Sequence, residues 1–396
     1  MLTTLAVQNY RSLRSVVLPL GRLTAVTGAN GSGKSSLYRA LRLLAESSRN
    51  GAVAALAREG GLPSTLWAGP ERISRAMRAG EHDVQGTRRR RPVSLRLGFA
   101  SDDYGYAIDL GLPTPGLPPP GRKDSAFDLD PEIKRECTWS GPVARPAALL
   151  TDRHGGVVQV RGEDGDWRRS AHWLSPFDSM LSELADPDLA PEVLALRERI
   201  RGWRFYDHFR TDATAPARRV QIGTRTPVLA HDGADLAAAW QTIVEVGDVA
   251  RLHEVLEIAF PGSAVDIDTH EGLFGLSLRQ PGMLRGLGVT ELSDGTLRFL
   301  LLLTALLTPR PPELMVLNEP ETSLHPDLLP AVAELVVTAA ECTQVVVVSH
   351  SAPLLQAVGR AASGALTTVE LVKELGETGV ARQDALGGPG WVWPAR

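Results

Sequence analysis

Apolar and polar residues alternate in three short runs at the start of the chain. They predict strands at Thr4–Val7, Ser15–Leu18 and Leu23–Thr27. Leu37, Ala40, Leu41 and Leu44 then recur at helical spacing and give one apolar face to a helix from about Lys34 to Ser47. Residues Ala52–Ala79 are mixed and contain glycine. "PVSLRLGFASDDYGYAIDLGL" carries two alternating runs around an Asp-Asp-Tyr-Gly turn, a hairpin signature. The Pro-rich "LPTPGLPPPGRKD" reads as a surface loop, and "AALLTDRHGGVVQVRGEDGDW" as a second hairpin. Val193, Leu196, Ile200 and Trp203 mark one side of a helical patch after Pro191, too short for a long coiled coil. A further helical region is expected over about Ala234–Ala259.

The last part of the chain is more regular. "LFGLSLRQ" reads as a strand, Leu297–Leu307 as a helix and Leu314–Leu317 as a strand. Asp327–Ala340 reads as a helix and Val345–Ser349 as a strand. Alternating strands and helices argue for an α/β layer with parallel strands. The expected architecture is one composite head over 1–396. Residues 1–112 would form an N-terminal lobe with antiparallel strands, 113–260 a smaller helical and hairpin insertion, and 261–396 a C-terminal lobe.

The chain has 396 residues, 43% hydrophobic and 22% charged, so a packed core is expected and disorder is not. A net charge of −4 gives no global sign of a nucleic-acid binder, while leaving room for a local basic patch. Lys34, Lys123, Lys134 and Lys373 are the only lysines; nearly all positive charge is arginine. Cys137 and Cys342 lie far apart, which suggests no disulfide framework, zinc site or redox pair and fits a reducing cytosol. No signal peptide is read in "MLTTLAVQNYRSLRS", and "LRFLLLLTALLTP" is too short to span a bilayer. A cytoplasmic location follows as the expectation.

"GANGSGKSS" over Gly28–Ser36 matches G-x-x-x-x-G-K-[ST], between an expected strand and an expected helix. Gly28, Gly31 and Gly33 allow the backbone to turn, so that the N–H groups of Ala29, Asn30, Ser32 and their neighbours point at phosphate oxygens. The helix N-terminus adds favourable partial positive charge. Lys34 would reach the β- and γ-phosphates and Ser35 would hold Mg²⁺, with Ser36 beside it. This pattern points to nucleotide binding.

Three further pieces follow in order. "LSDGT" places Ser293 before an apolar helix, ordinarily a cap and no more. "LMVL" leads into Asn318 and Glu319. "VVVVSHS" puts His350 just past a strand end, where ligands bind in α/β sheets, although a lone histidine is more often structural. Together the four pieces resemble the ABC-type ATPase head, and more closely the RecF-like predicted AAA-family ATPases of the SMC/OLD group. The resemblance covers about the first 45 and last 120 residues, including "VQNYRSL", "LNEPETSLHPDLLP" and "QVVVVSHSAPLL". It implies two heads packed head to tail around two ATP molecules, each between one chain's phosphate loop and the other's Ser293, Asp294 and Gly295. Glu319 would polarise the attacking water, and His350 would contact the γ-phosphate. Cleavage would loosen the dimer, a nucleotide-driven switch.

The family pattern ends that strand in Asp-Glu; here it is Asn318-Glu319. A neutral carbonyl in place of a carboxylate would weaken metal binding by about 1–2 kcal/mol, roughly tenfold. On that reading Asn318→Asp is the substitution that tests the contact. Glu321 is a conceivable second acid, though a capping or dimer-facing role fits it better. The glutamine that such heads use toward Mg²⁺ is not evident; Gln85 is a candidate only by elimination. Tyr10 and Arg11 match the family's "N-[FY]-R-S" opening, with Arg11 either near the nucleotide or simply at a strand end. "RRRR" at Arg88–Arg91 is the one basic run, more naturally a solvated loop than a DNA contact. The implied function is an ATPase acting in DNA repair or defence, as an ATP-dependent homodimer with DNA or a partner nuclease. The 46 residues after His350 (396 − 350) are expected to be too few for the nuclease module of OLD-type proteins. The alternatives are the ATPase subunit of a membrane transporter and a nucleotide-gated binding module with very slow turnover.

Overall fold

The computed structural model describes residues 1–49, 51–71, 73–83, 92–113, 126–207, 209–381 and 388–395. Gln85, Arg88–Arg91 and all of the Pro-rich loop beyond Pro113 lie outside the described residues. The chain divides into two compact units. The first holds Met1–Leu20, Gly28–Gly202 and Val369–Arg396, and the second Gly21–Thr27 and Trp203–Thr368.

In chain order the early strands are β1 (Leu2–Tyr10), β2 (Leu13–Pro19), β3 (Leu23–Gly28), β4 (Leu95–Ser101), β5 (Tyr104–Gly111) and β6 (Glu132–Ser140). Then come β7 (Leu149–His154), β8 (Val157–Arg161), β9 (Trp167–Arg169), β10 (Arg204–Tyr206), β11 (Gln221–Ile222) and β12 (Ala264–His270). The last are β13 (Leu273–Arg279), β14 (Leu287–Gly288), β15 (Leu314–Asn318), β16 (Gln344–Val348), β17 (Leu366–Glu374) and β18 (Glu377–Val380).

The first unit is built on an eight-stranded sheet in the order β2-β1-β4-β5-β6-β7-β8-β9. Every pairing in it is antiparallel. Both expected hairpins are present, as β4–β5 and β7–β8. Strand β6, "EIKRECTWS", was not expected; it joins them, so that the strands up to Arg169 extend the N-terminal sheet. The stretch read as a separate insertion therefore divides at Gly202, the earlier part lying in the first unit and the later part in the second. The Lys34–Glu46 helix packs through Leu37, Leu41 and Leu44, each at most 1% exposed.

The second unit carries parallel strands in the order β10-β15-β16-β3. β15 and β16 read as unbroken apolar runs because both of their faces are covered: Leu314–Leu317 and Val345–Val348 are at most 1% exposed. The Asp294–Leu306 helix is apolar nearly all round and lies in the middle of this core. A small antiparallel sheet, β11-β13-β12 with β14 against β13, flanks it. The helical region expected over about Ala234–Ala259 holds two helices, Leu236–Val246 and Val249–Ala259. Gly247 takes an extended conformation there, and Asp248 starts the second helix by accepting from Arg251 N at 2.9 Å. Among the described residues no helix is long and apolar enough to cross a membrane.

Candidate nucleotide site

In the first unit the phosphate loop leads into the Lys34–Glu46 helix. Gly28, Gly31 and Gly33 have φ of 146°, 78° and 110°, the region that favours glycine. Space excludes a side chain as well: a Cβ at Gly28 would lie 2.3 Å from Leu371 O, and one at Gly33 2.4 Å from Thr378 Oγ1. The Thr378 hydroxyl, on β18, donates to Ser32 O at 2.7 Å and lies 2.9 Å from Ser12 Oγ. Thr378 thus props the loop from a distant part of the chain. The Lys34 ammonium donates to Gly28 O at 2.7 Å and Ala29 O at 3.1 Å, so it lies over the loop. Among the described residues no side chain caps this helix and no acid sits in its first turn. Its leading N–H groups, which lack intrahelical partners, are therefore available to an anion. Ser35 is exposed and Ser36 half-buried at this end.

Arg11 and Tyr10 lie elsewhere in this unit's contacts. Arg11 Nη2 is 2.7 Å from Glu59 Oε2, to which the Tyr10 hydroxyl also donates at 2.6 Å. A nucleotide contact by Arg11 would have to displace that carboxylate.

In the second unit, register brings strand ends together. Val26 pairs with Val348, and Val348 with Asn318, so β16 and β15 finish level and β3 runs on past Val26. Thr27 is the last residue of this segment in the second unit, and the phosphate loop is the next segment of the chain. Beyond β15, Glu319 adopts φ 47°, left-handed for a residue with a side chain. Its N–H donates to Val348 O at 2.8 Å, which holds the bend. His350 Nδ1 lies 3.1 Å from Glu319 Oε1 and 3.7 Å from Glu321 Oε1. A carboxylate can only accept, so Nδ1 carries the proton of the shorter contact. Glu321 accepts from the Ser349 hydroxyl at 2.6 Å, with its other oxygen buried and unpartnered among the described residues. Its side chain is 9% exposed, against 36% for Glu319 and 47% for His350. Glu319 and His350 are thus the reachable pair, and Glu321 braces them from behind.

Ser293 caps its helix, accepting from Thr296 N at 3.1 Å, and remains exposed. A Cβ at Gly295 would lie 2.9 Å from Ser323 O, so only glycine lets the two turns approach this closely. Two arginines that pattern reading missed fix these turns. Arg218, 8% exposed, donates to Val289 O at 2.6 Å and Leu292 O at 2.9 Å, and pairs with Asp294 at 2.8 Å. Arg298, inside the apolar helix, donates to Thr322 O at 2.5 Å and Phe209 O at 2.7 Å. Burial disfavours its charge, partly offset by Asp294; the two carbonyls engage its Nη atoms, while Nε is buried with no partner among the described residues. A polar residue in an otherwise leucine-rich helix is the signal that could have flagged it.

Two family profiles match successive parts of the chain. One, described as "AAA ATPase domain", matches residues 1–135, and one described as "AAA domain, putative AbiEii toxin, Type IV TA system" matches residues 171–357. A stretch of 44 residues is 50% identical to an OLD nuclease from Thermus scotoductus, spanning 11% of this chain and 8% of that relative. Both matched profiles describe AAA-type domains, and between them they take in most of the chain. Solved structures similar to this chain include the SMC head domain from Thermotoga maritima (14% identical, 97% and 99% of the two chains covered, TM-score 0.44). An Smc head bound to the C-winged helix domain of ScpA aligns at 14% identity over 96% and 97%, TM-score 0.48. An Smc head with an extended coiled coil, bound to the C-terminal domain of ScpA derived from Pyrococcus furiosus, aligns at 13% over 96% and 95%, TM-score 0.45. The parallel strands of the second unit and the antiparallel sheet of the first match the α/β P-loop NTPase architecture expected from the sequence.

Proposed function

We propose that the chain binds ATP with Mg²⁺ and hydrolyses it, and that ATP drives head-to-tail pairing of two copies. The observation that carries the reading is the glycine loop over an uncapped helix N-terminus, with Lys34 across it. Phosphate fits there: the backbone turns only glycine allows leave N–H groups and one ammonium free of any anionic partner among the described residues. Lys34 and the N–H groups of Gly28–Ser36 neutralise the phosphate chain, and Ser35 and Asn318 offer oxygen donors to Mg²⁺. The metal, when bound, screens charge on the β- and γ-phosphates. Glu319 orients and polarises the attacking water, and His350, held by Glu319, contacts the γ-phosphate. Ser293, Asp294 and Gly295 meet the partner copy's γ-phosphate.

The toxin–antitoxin description of one matched profile and the stretch shared with a nuclease support a role in defence against foreign DNA over a transporter subunit. A partner nuclease or DNA would be the target of the switch. The pairing is tested by Ser293→Arg, a change at an exposed cap. The variant is expected to bind ATP as a monomer with wild-type affinity and to lose ATP-induced dimerisation by light scattering. Dimerisation equal to wild type would rule out this turn as the contact.

A further inference from the structure

Strands β10 and β15 run parallel, with Tyr206 opposite Leu317. The next residue on each, Asp207 and Asn318, therefore stands at the same C-terminal edge of the second unit's sheet. Asn318 Nδ2 lies 2.7 Å from Asp207 Oδ1. An ionised carboxylate only accepts hydrogen bonds, so the amide must turn its NH₂ toward Asp207 and its carbonyl oxygen away. Both residues are half-buried.

We infer that Asp207 supplies the metal-site carboxylate that position 318 lacks, and that Asn318 is an asparagine because Asp207 is its neighbour. The inference rests on the Mg²⁺ and ATP reading above. With aspartate at both positions, two like charges would be in contact, and one would have to take up a proton. The Asp–Asn pair avoids this while keeping one negative charge. A hard divalent cation takes carboxylate and amide carbonyl oxygens, and the pair presents both. The metal contact that looked softened in "LMVLNEP" is one strand over. Glu321, three residues after Asn318, keeps one oxygen buried and without a partner among the described residues.

The test titrates Mg²⁺ against binding of a fluorescent ATP analogue to the full chain. Asp207→Asn is expected to raise the half-saturating Mg²⁺ about tenfold, the worth of one charge-assisted contact, and to leave binding in EDTA unchanged. Asn318→Asp alone is expected to give no tightening, because it seats two carboxylates together. The swap Asp207→Asn with Asn318→Asp keeps one amide–carboxylate pair and is expected to recover most of the lost Mg²⁺ affinity. A merely structural hydrogen bond would leave the Mg²⁺ requirement of folded Asp207→Asn at the wild-type value. That result, or tightening by Asn318→Asp alone, overturns the inference and leaves the ATP reading standing. A wild-type chain that binds no nucleotide overturns both. Should Asp207→Asn not fold, the swap decides: a near wild-type Mg²⁺ requirement supports the inference, and a tenfold rise overturns it.

Discussion

Glu319→Gln is expected to bind Mg²⁺ and ATP like the wild type and to release phosphate about 10²–10⁴-fold more slowly, the usual worth of a positioned general base. The substitution changes charge and little else. Glu319 lies at φ 47°, a conformation that costs roughly 1–3 kcal/mol in a residue with a Cβ and is held by its N–H bond to Val348 O. Glutamine carries the same backbone requirement and nearly the same shape, so the bend should survive. His350 would keep an acceptor, now an amide oxygen, at Glu319's place. With cleavage stopped, the ATP-bound pair should accumulate, doubling the mass seen by light scattering. A variant that hydrolyses at the wild-type rate removes Glu319 from the chemistry. A variant that stays monomeric with ATP removes the head-to-tail pairing.

The largest expected stability change lies far from the strand ends, in the first unit's sheet. Glu136 on β6 and Arg153 on β7 are both fully buried and 3.1 Å apart. Around them every polar atom is engaged. Glu136 accepts from the Tyr106 hydroxyl at 2.7 Å, Met180 N at 2.8 Å and the Ser179 hydroxyl. Arg153 donates to Gly155 O and Ser175 O, each at 2.7 Å, and to Asp178 O. Burial, with Glu136 alongside, pushes the Tyr106 hydroxyl well above its ordinary pKa, so it stays a donor. Arg153→Met would leave a buried carboxylate without its cation and strand three carbonyls, at a cost of about 3–5 kcal/mol. The unfolding transition of this unit should fall by roughly 10 °C. Adding Glu136→Leu should recover much of the loss, because replacing a whole buried pair is far milder than breaking it. A loss under about 1 kcal/mol in the single variant would mean that the pair is more solvated than its burial implies.

What the sequence reveals is what its local patterns encode. The phosphate loop, the Ser293 cap and strands β15 and β16 each announce themselves within a dozen residues, by glycine spacing, a capping residue or an unbroken apolar run. Strand β6 does not, because charged Lys134, Arg135 and Glu136 interrupt its alternation; Lys134 pairs with Glu132 on the same strand, while Arg135 and Glu136 find their charge partners on β7. Strand β10 is three residues long, too short for any period to show, yet it is what brings Asp207 to Asn318. Thr378, Arg218 and Arg298 act through partners far away in the chain, and no window of sequence contains both members of such a pair. Asn318 shows the same limit from the other side. Alone it looks like a defect, and beside Asp207 it is one half of a pair.

Steady-state phosphate release by the full chain, with Mg²⁺ and ATP, beside Lys34→Ala at the same concentration, bears most directly on the ATPase reading. Lys34 lies over the phosphate loop, and its truncation is expected to leave the glycine turns intact. The expected result is Mg²⁺-dependent release by the wild type and release at background in Lys34→Ala. Release at background in the wild type, or equal release in both chains, would contradict it.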